Sequence, residues 1–241
     1  MVIVTGASSG LGVSFAQGFA EAGADLVLGA RRVERMAQTA ALVERAGGRV
    51  CTHQTDVVDP EQCQQLVDAA MAEFGRVDVL INNAGVGTAV PSTRETAEEF
   101  RSVIDVNLNG SYWMAQACGR VMTPGSAIIN ISSVLGLTTG GLPQAAYSAS
   151  KAGIIGLTRD LAQQWSGRKG IRVNALAPGF FVSEMTDELK PGYLDSLMPR
   201  IILGRLGEAT ELTATAVWLA SPAAGYVTGQ TIVVDGGLTI T

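Results

Sequence analysis

The sequence contains few of the residues that build metal centres or disulfide frameworks. It has three cysteines, Cys51, Cys63 and Cys118, and a single histidine, His53, in 241 residues. An odd number of cysteines without metal-ligand spacing is typical of a reducing compartment, so we expect a cytoplasmic protein without a metal site. His53 lies on a predicted buried strand, where we expect a structural role.

The chain also lacks an excess of basic residues and a long apolar run. Its net charge of −5 argues against nucleic acid or an anionic membrane as the main partner. No apolar stretch approaches the ~20 residues of a membrane-spanning helix. The apolar start, MVIV, is too short for a signal peptide. Because 47% of the residues are hydrophobic, we expect a chain that buries a sizeable core.

Short β-branched runs alternate with longer helical segments along the whole chain. The predicted strands are 2–5, 25–30, 49–54, 77–82, 127–132, 171–176 and 231–235. The predicted helices are 11–22, 33–46, 60–74, 95–122, 146–166 and 209–220. Such alternation gives right-handed βαβ units and a parallel sheet with helices on both faces. We therefore predict an α/β, Rossmann-type doubly wound fold with a seven-stranded parallel sheet, forming a single domain over 1–241.

One stretch, 180–207, interrupts this alternation. It contains two prolines, three glycines and several apolar residues. A long irregular segment late in a doubly wound fold is often a lid or substrate loop, and we predict that role here. The alternative is an ordinary pair of surface helices.

The turn after the first strand carries the glycine-rich stretch TGASSGLG at 5–12. Glycines at this place let the backbone turn tightly and approach a pyrophosphate, whose charge is met by the amides of a helix N-terminus. The serine hydroxyls add hydrogen bonds. Because the stretch joins the first strand to the first helix, we predict a dinucleotide site that includes Gly6, Ser8, Ser9, Gly10, Leu11 and Gly12.

The end of the second predicted strand bears on the choice of cofactor. Enzymes that prefer NAD commonly place a carboxylate there, bonded to the adenosine ribose. This chain instead has Arg31 and Arg32, with no acidic residue before Glu34. Cations at a helix N-terminus oppose the helix dipole, which favours a bound anion such as the 2′-phosphate of NADP. We therefore predict NADP(H), bound through Arg31, with NAD(H) as the alternative.

The stretch YSASK places Tyr147 and Lys151 four residues apart, on one face of a predicted helix. A phenol has a pKa near 10, and a neighbouring ammonium stabilises its phenolate form. Such a tyrosine can give a proton to a carbonyl or take one from an alcohol. Ser132 and Ser133 end a strand about fourteen residues upstream, at the sheet edge where ligands bind in α/β folds.

With these stretches the chain resembles the short-chain dehydrogenase/reductase family, in particular its 3-oxoacyl-carrier-protein reductases and related ketoreductases. The resemblance covers nearly the whole length. It is carried by TGASSGLG (5–12), DV (56–57), NNAG (82–85), VNLNG (106–110), ISSVLG (131–136), YSASK (147–151), NALAPGF (174–180) and GQTIVVDGG (229–237).

The resemblance implies a role for each of four residues. Tyr147 is the acid/base, and Lys151 lowers the pKa of Tyr147 and binds the nicotinamide ribose. Ser133 hydrogen-bonds the substrate oxygen. Asn107, within a long helix, holds a water that links Lys151 to solvent.

The resemblance also implies further cofactor contacts. Asp56 and Val57 contact the adenine, and Asn83, Ala84 and Gly85 line the cleft. Pro178 and Gly179 begin the loop around the nicotinamide, and Ser183 offers a hydroxyl where the family often has threonine. Many NADP-dependent members carry a basic residue at the position of Ser9, so the NADP(H) prediction depends on Arg31.

We thus predict an NADP(H)-dependent oxidoreductase that interconverts a ketone, with a 3-oxoacyl group among the candidates, and a secondary alcohol. One alternative is an NAD-dependent dehydrogenase of a secondary alcohol or sugar acid. The other is a regulator that binds a dinucleotide without turnover, although such a protein has no need of all four residues. The resemblance further implies a homotetramer built partly from the helices at 95–122 and 146–166, with a small carbonyl or alcohol compound as partner.

Overall fold

The computed structural model describes residues 1–182 and 192–241. Its strands form one parallel sheet in the order β3-β2-β1-β4-β5-β6-β7. They are β1 Val2–Thr5, β2 Leu26–Ala30, β3 Val50–Gln54, β4 Val79–Asn82, β5 Ala127–Ile131, β6 Arg172–Pro178 and β7 Thr231–Val234. The chain builds one half of the sheet outward from β1 and the other half outward from β4. The strand order therefore reverses between β1 and β4, and ligands of such folds bind at the carboxyl ends beside this reversal.

Helices cover both faces of the sheet. They are α1 Gly10–Glu21, α2 Val33–Arg45, α3 Pro60–Phe74, α4 Ala97–Ile104, α5 Gly110–Val121, α6 Ala145–Lys169, α7 Tyr193–Leu197 and α8 Ala209–Ala220. Phe15 of α1 and Leu212 of α8 belong to the hydrophobic core on one face. Leu66 of α3 and Leu161 of α6 belong to the core on the other face. The predicted doubly wound α/β fold is confirmed.

The helix predicted at 95–122 is not continuous. It begins at α4, where Thr96 and Glu99 form a capping box, and it changes to a π-helix at Asp105–Asn109 before α5. The apolar pattern fits an α-helix throughout, but the π turn inserts extra backbone in the middle. Such insertions are frequent at functional sites, and Asn107 lies inside this one.

The described parts of the predicted lid lie on either side of 183–191. Phe181 forms an isolated parallel bridge with Gly207, and α7 is followed by a short 3₁₀ turn at Met198–Arg200. Ser183 lies outside the described residues. The role of 180–207 as a substrate loop stays a prediction.

His53 differs from its prediction in one respect. It lies on β3, which is an edge strand, so its side chain is half-buried rather than buried, and Nδ1 lies 3.2 Å from the Thr55 hydroxyl. Within the described residues, no group of three or more His, Cys, Asp or Glu side chains is placed to hold a metal ion. No helix in the same part of the chain is long and apolar enough to cross a membrane.

Candidate active site

A cleft of about 600 Å³ lies at the carboxyl ends of β1, β2, β4, β5 and β6. Most of the predicted site residues line it: Gly6, Ser8, Ser9, Gly10, Leu11, Arg31, Asp56, Val57, Asn83, Ala84, Gly85, Ser133, Tyr147, Lys151, Pro178 and Gly179. Gly12 and Asn107 stand behind its wall, and Ser183 falls within 183–191. The fold therefore brings predicted residues from seven sequence stretches into one cavity.

The glycine-rich turn shapes one end of the cleft. Gly6 and Gly10 have φ of +67° and +53°, a backbone region that side chains other than glycine rarely adopt. A Cβ on Gly12 would stand 2.3 Å from the Gly6 carbonyl oxygen, so the first turn of α1 packs directly on the loop. Ser9, at the N-cap, makes no capping bond with its side chain, and the first turn of α1 contains no acidic residue. This end therefore fits a pyrophosphate group.

Arg32 extends over this turn. Its Nη2 donates hydrogen bonds to the hydroxyls of Ser9 at 2.8 Å and Ser8 at 3.3 Å. The backbone carbonyl of Arg31 accepts a bond from Gln54 at 3.2 Å. In the described structure the guanidinium of Arg31 makes no hydrogen bond of its own. The two arginines therefore differ: Arg32 orders the serines, and Arg31 offers an unpaired cation beside them.

The NNAG stretch forms the opposite side of this end of the cleft. Thr5 Oγ1 accepts hydrogen bonds from the backbone amides of Asn83 at 3.0 Å and Ala84 at 3.1 Å. The side-chain amide of Asn83 donates to the Thr5 carbonyl at 3.0 Å. A Cβ on Gly6 would stand 2.8 Å from Ala84 Cα. The turn after β4 is therefore bonded to the end of β1 at a distance that requires glycine.

Tyr147 and Lys151 lie on α6, and Ser133 follows β5. The Ser133 hydroxyl accepts a hydrogen bond from the Leu135 amide at 3.1 Å, and its influence on the Tyr147 phenol favours the charged form of the phenol. Lys151 Nζ donates to the Ile131 carbonyl at 2.7 Å and stands 5.5 Å from the centre of the Tyr147 ring. The site therefore holds a half-buried proton donor, a buried second hydroxyl and a buried cation in one corner of the cleft.

Burial sets the protonation of this pair. Desolvation raises the pKa of Tyr147, although the hydrogen bond from Ser133 acts in the opposite direction. Desolvation lowers the pKa of Lys151 to about 8. The predicted lowering of the phenol pKa by Lys151 stays a prediction, because burial is the largest influence on the Tyr147 pKa in the chain by itself and the ammonium is bonded to Ile131.

Asn107 is fully buried on the π turn and acts as a structural link. Its side chain accepts from the Val86 amide at 2.8 Å, donates to the Val86 carbonyl at 2.9 Å and donates to Ser150 Oγ at 2.9 Å. Its own carbonyl accepts from the Ser111 hydroxyl at 2.7 Å. Asn107 therefore joins the cleft wall after NNAG to the helix that carries Tyr147.

Comparison with known proteins agrees with this architecture. A sequence model described as Enoyl-(Acyl carrier protein) reductase matches residues 6–239. The chain belongs to the short-chain dehydrogenase/reductase family. It is therefore an oxidoreductase of CH–OH groups, and the family uses NAD(P)(H).

Relatives within the short-chain dehydrogenase/reductase family carry different activities in their names. A 3-oxoacyl-[acyl-carrier-protein] reductase from Thermotoga maritima is 38% identical over 99% of this chain and 97% of its own. A gluconate 5-dehydrogenase from Gluconobacter oxydans is 37% identical over 99% and 94%. The crystal structure of a short-chain type dehydrogenase/reductase from Mycobacterium marinum superposes with a TM-score of 0.96 at 34% identity, covering 100% of this chain and 95% of that one.

The cleft of this short-chain dehydrogenase/reductase also includes residues that sequence reasoning missed. Those missed within or beside a predicted motif are Thr55, Val86, Gly87, Thr88, Ala89, Val134 and Phe180. Others, among them Leu142 and Gln144, are lining residues without a motif of their own.

Proposed function

We propose that the protein interconverts a ketone and a secondary alcohol by NADP(H)-dependent hydride transfer, with a 3-oxoacyl group among the candidate ketones. One observation carries this proposal. Ser133, Tyr147 and the buried Lys151 line the same cleft as the glycine-rich turn, with Lys151 Nζ 5.5 Å from the centre of the Tyr147 ring. The cofactor supplies or accepts the hydride, so the protein must place the substrate and move one proton.

The proposed chemistry assigns the proton to Tyr147. When a ketone is reduced, the phenol donates its proton to the developing alkoxide oxygen, and Ser133 donates a hydrogen bond to the same oxygen. Lys151 is the nearest cation and stabilises the phenolate that remains. Because burial raises the pKa of Tyr147, the phenol is protonated and ready to donate at neutral pH.

The preference for NADP(H) is part of this proposal. Arg31 and Arg32 both line the cleft where β2 ends, and no acidic residue stands between Ala30 and Glu34. With Arg32 bonded to the two serines, the free guanidinium of Arg31 is the group that we propose for the 2′-phosphate. NAD(H) remains the alternative.

The assembly is proposed from the sequence and from the exposed face of α6, and the location from the sequence alone. Ala152 and Gly156 give α6 an exposed face of small residues, which favours close packing against another subunit. We propose a cytoplasmic homotetramer in which α6 and α5 contribute to the contacts.

The test is a turnover assay with the purified protein. A panel of ketones with NADPH or NADH, and of secondary alcohols with the oxidised cofactors, is followed by the absorbance of the reduced nicotinamide. We expect turnover of at least one ketone, faster with NADPH than with NADH. Cofactor binding without turnover of any compound would instead favour the regulator hypothesis.

A further inference from the structure

The described part of the cleft has two ends of different chemistry. Arg31, Arg32 and Asp56 are charged and lie where β2 and β3 end. On the other side of Tyr147 the wall is apolar. Val134 and Leu135 form a hydrophobic cluster against which Tyr147 and Phe180 pack. Leu142 completes this wall, which among the described residues carries no charged side chain besides Lys151 at its edge.

This apolar wall is held in shape by contacts outside the cleft. Tyr193 of α7 donates a hydrogen bond to the Gly140 carbonyl at 2.7 Å, and its ring meets Phe180 edge-on at 6.0 Å between ring centres. The segment before α6 and the segment after β6 are therefore joined through one side chain. A ligand beside Tyr147 would therefore contact a wall whose shape is held by these two interactions of Tyr193.

Two neutral polar groups interrupt the wall, and neither is paired. The side chain of Gln144 lines the cleft one turn before Tyr147, does not cap α6 and makes no hydrogen bond in the described part of the chain. The Thr88 hydroxyl is buried and likewise lacks a partner among those residues. Its neighbour Gly87 would bring a Cβ to 3.5 Å from the Tyr147 ring. Both groups therefore flank the phenol, where a substrate atom can satisfy them.

We infer that the substrate is an uncharged ketone with an apolar body and a second neutral oxygen close to the reacting carbonyl, and that Gln144 binds this second oxygen. This inference rests on the proposed function and narrows it. A carboxylate at that place, as in a sugar acid, would enter an apolar wall whose described residues offer no cation besides Lys151, which is bonded to Ile131. An ester or thioester carbonyl would instead find the Gln144 amide as a donor. Gln144 thus determines specificity, and Tyr147 performs the proton transfer.

Three matched compounds test the inference with the full chain and NADPH: an alkyl 3-oxo ester, a monoketone of equal length and the corresponding 3-oxo carboxylate. We expect kcat/KM for the ester to exceed that for the carboxylate by about 100-fold, because a buried unpaired charge is costly. We expect it to exceed that for the monoketone by about tenfold, the worth of one hydrogen bond.

Gln144→Leu should lower the ratio of ester to monoketone about tenfold while NADPH still binds as in the wild type. Gln65→Leu is the matched control, because Gln65 is exposed on α3 outside the cleft, and it should keep the wild-type ratio. Equal kcat/KM for ester and carboxylate, or an unchanged ratio in Gln144→Leu, would overturn this inference alone. Turnover of none of the three, together with none in the wider ketone panel, would overturn the proposed function as well.

Discussion

Lys151 is bonded to the end of β5 through both its side chain and its backbone. Its Nζ donates to the Ile131 carbonyl at 2.7 Å, and its own carbonyl accepts from the Ser132 hydroxyl at 2.8 Å. Gly136 lies so close that a Cβ there would stand 2.7 Å from the Lys151 carbonyl carbon. The position of the ammonium is therefore fixed by the sheet, and the cost of burying it appears in its pKa of about 8.

This burial predicts a specific dependence of stability on pH. The pKa of Lys151 falls from 10.5 to about 8 on folding, so between these values the unfolded chain binds more protons than the folded one. Stability due to this group must then rise with pH over that window. From pH 7.5 to 9.5 the contribution of Lys151 to the free energy of unfolding should increase by about 2 kcal/mol.

Urea unfolding of the cofactor-free protein and of Lys151→Met at both pH values isolates the effect. The free energy of unfolding of the wild type should rise relative to that of the variant. Measurements should stop below pH 10, because the raised pKa of Tyr147 makes stability fall with pH beyond that point. A constant difference between the two proteins would show that Lys151 titrates alike in both states.

The proton-transfer role of Tyr147 predicts a separation of rate from binding. Tyr147→Phe keeps the ring that packs against Val134 and Leu135 but removes the only proton that the ring can transfer. We expect kcat to fall by about 10²-fold to 10⁴-fold, with NADPH affinity nearly unchanged in a fluorescence titration. Tyr112→Phe on α5 is the control, because its phenol lies outside the cleft lining and accepts only from Gln116. Substantial turnover by Tyr147→Phe would refute the assignment.

The different environments of Arg31 and Arg32 predict different losses on substitution. Arg31→Ala removes the unpaired cation and should weaken NADPH binding at least about tenfold more than NADH binding, since a charge-assisted bond to phosphate is worth ~1.5–3 kcal/mol. Arg32→Ala removes the donor to Ser8 and Ser9, so it should weaken both cofactors. Dissociation constants of both variants for both cofactors decide the matter, and equal losses in Arg31→Ala would contradict the assignment.

The sequence was sufficient for the fold because each strand is a short β-branched run between helical segments. The motifs also predicted that Ser133, Tyr147 and Lys151 share one cleft, since each lies at or faces the carboxyl end of β5. The π turn at Asp105–Asn109 could not be predicted from the sequence, because its apolar spacing fits an ordinary α-helix.

Side-chain pKa values and contacts between residues far apart in the sequence could not be predicted either. The pKa of Tyr147 is set by how deeply the folded chain buries it, and the partner of Lys151 lies twenty residues away. Gln144 and Thr88 belong to no motif, and only the packing of α6 against the segment after β4 reveals that both flank the phenol. Sequence patterns predict which segments are helices and strands, whereas the lining of the cleft depends on which side chains those elements bring together.

Asn107 predicts a large loss of stability from a change of similar shape. Asn107→Leu removes three hydrogen bonds, leaves the amide and carbonyl of the half-buried Val86 unpaired and takes from Ser150 a buried donor. We expect the free energy of unfolding to fall by about 2–4 kcal/mol. Asn109→Leu on the same π turn loses only its bond to Asp105 near the surface and should change stability by less than about 0.5 kcal/mol. Similar losses in both would show that the π turn itself, not the link to Val86, is what matters.

Gly12 tests whether the close approach of α1 to the glycine-rich turn is needed for stability and cofactor binding. Gly12→Ala would bring a Cβ to 2.3 Å from the Gly6 carbonyl oxygen and 2.8 Å from the Asn83 side chain, and the first contact is backbone that cannot rotate away. The loop must move, so we expect roughly 2 kcal/mol or more of lost stability and weaker binding of both cofactors. Urea unfolding and cofactor titration measure the two effects.

The matched control for Gly12→Ala is Gly167→Ala, in the last turn of α6. A Cβ on Gly167 meets nothing within 4 Å, and its backbone has no positive φ. Because alanine favours a helix over glycine, this variant should gain about 0.5–1 kcal/mol and bind both cofactors as the wild type does. Opposite signs of the two stability changes, with a loss of cofactor affinity confined to Gly12→Ala, are expected if α1 must approach the loop closely to form the cofactor site. A Gly12→Ala protein that is as stable as the wild type and binds NADPH equally well would show that the close approach is dispensable.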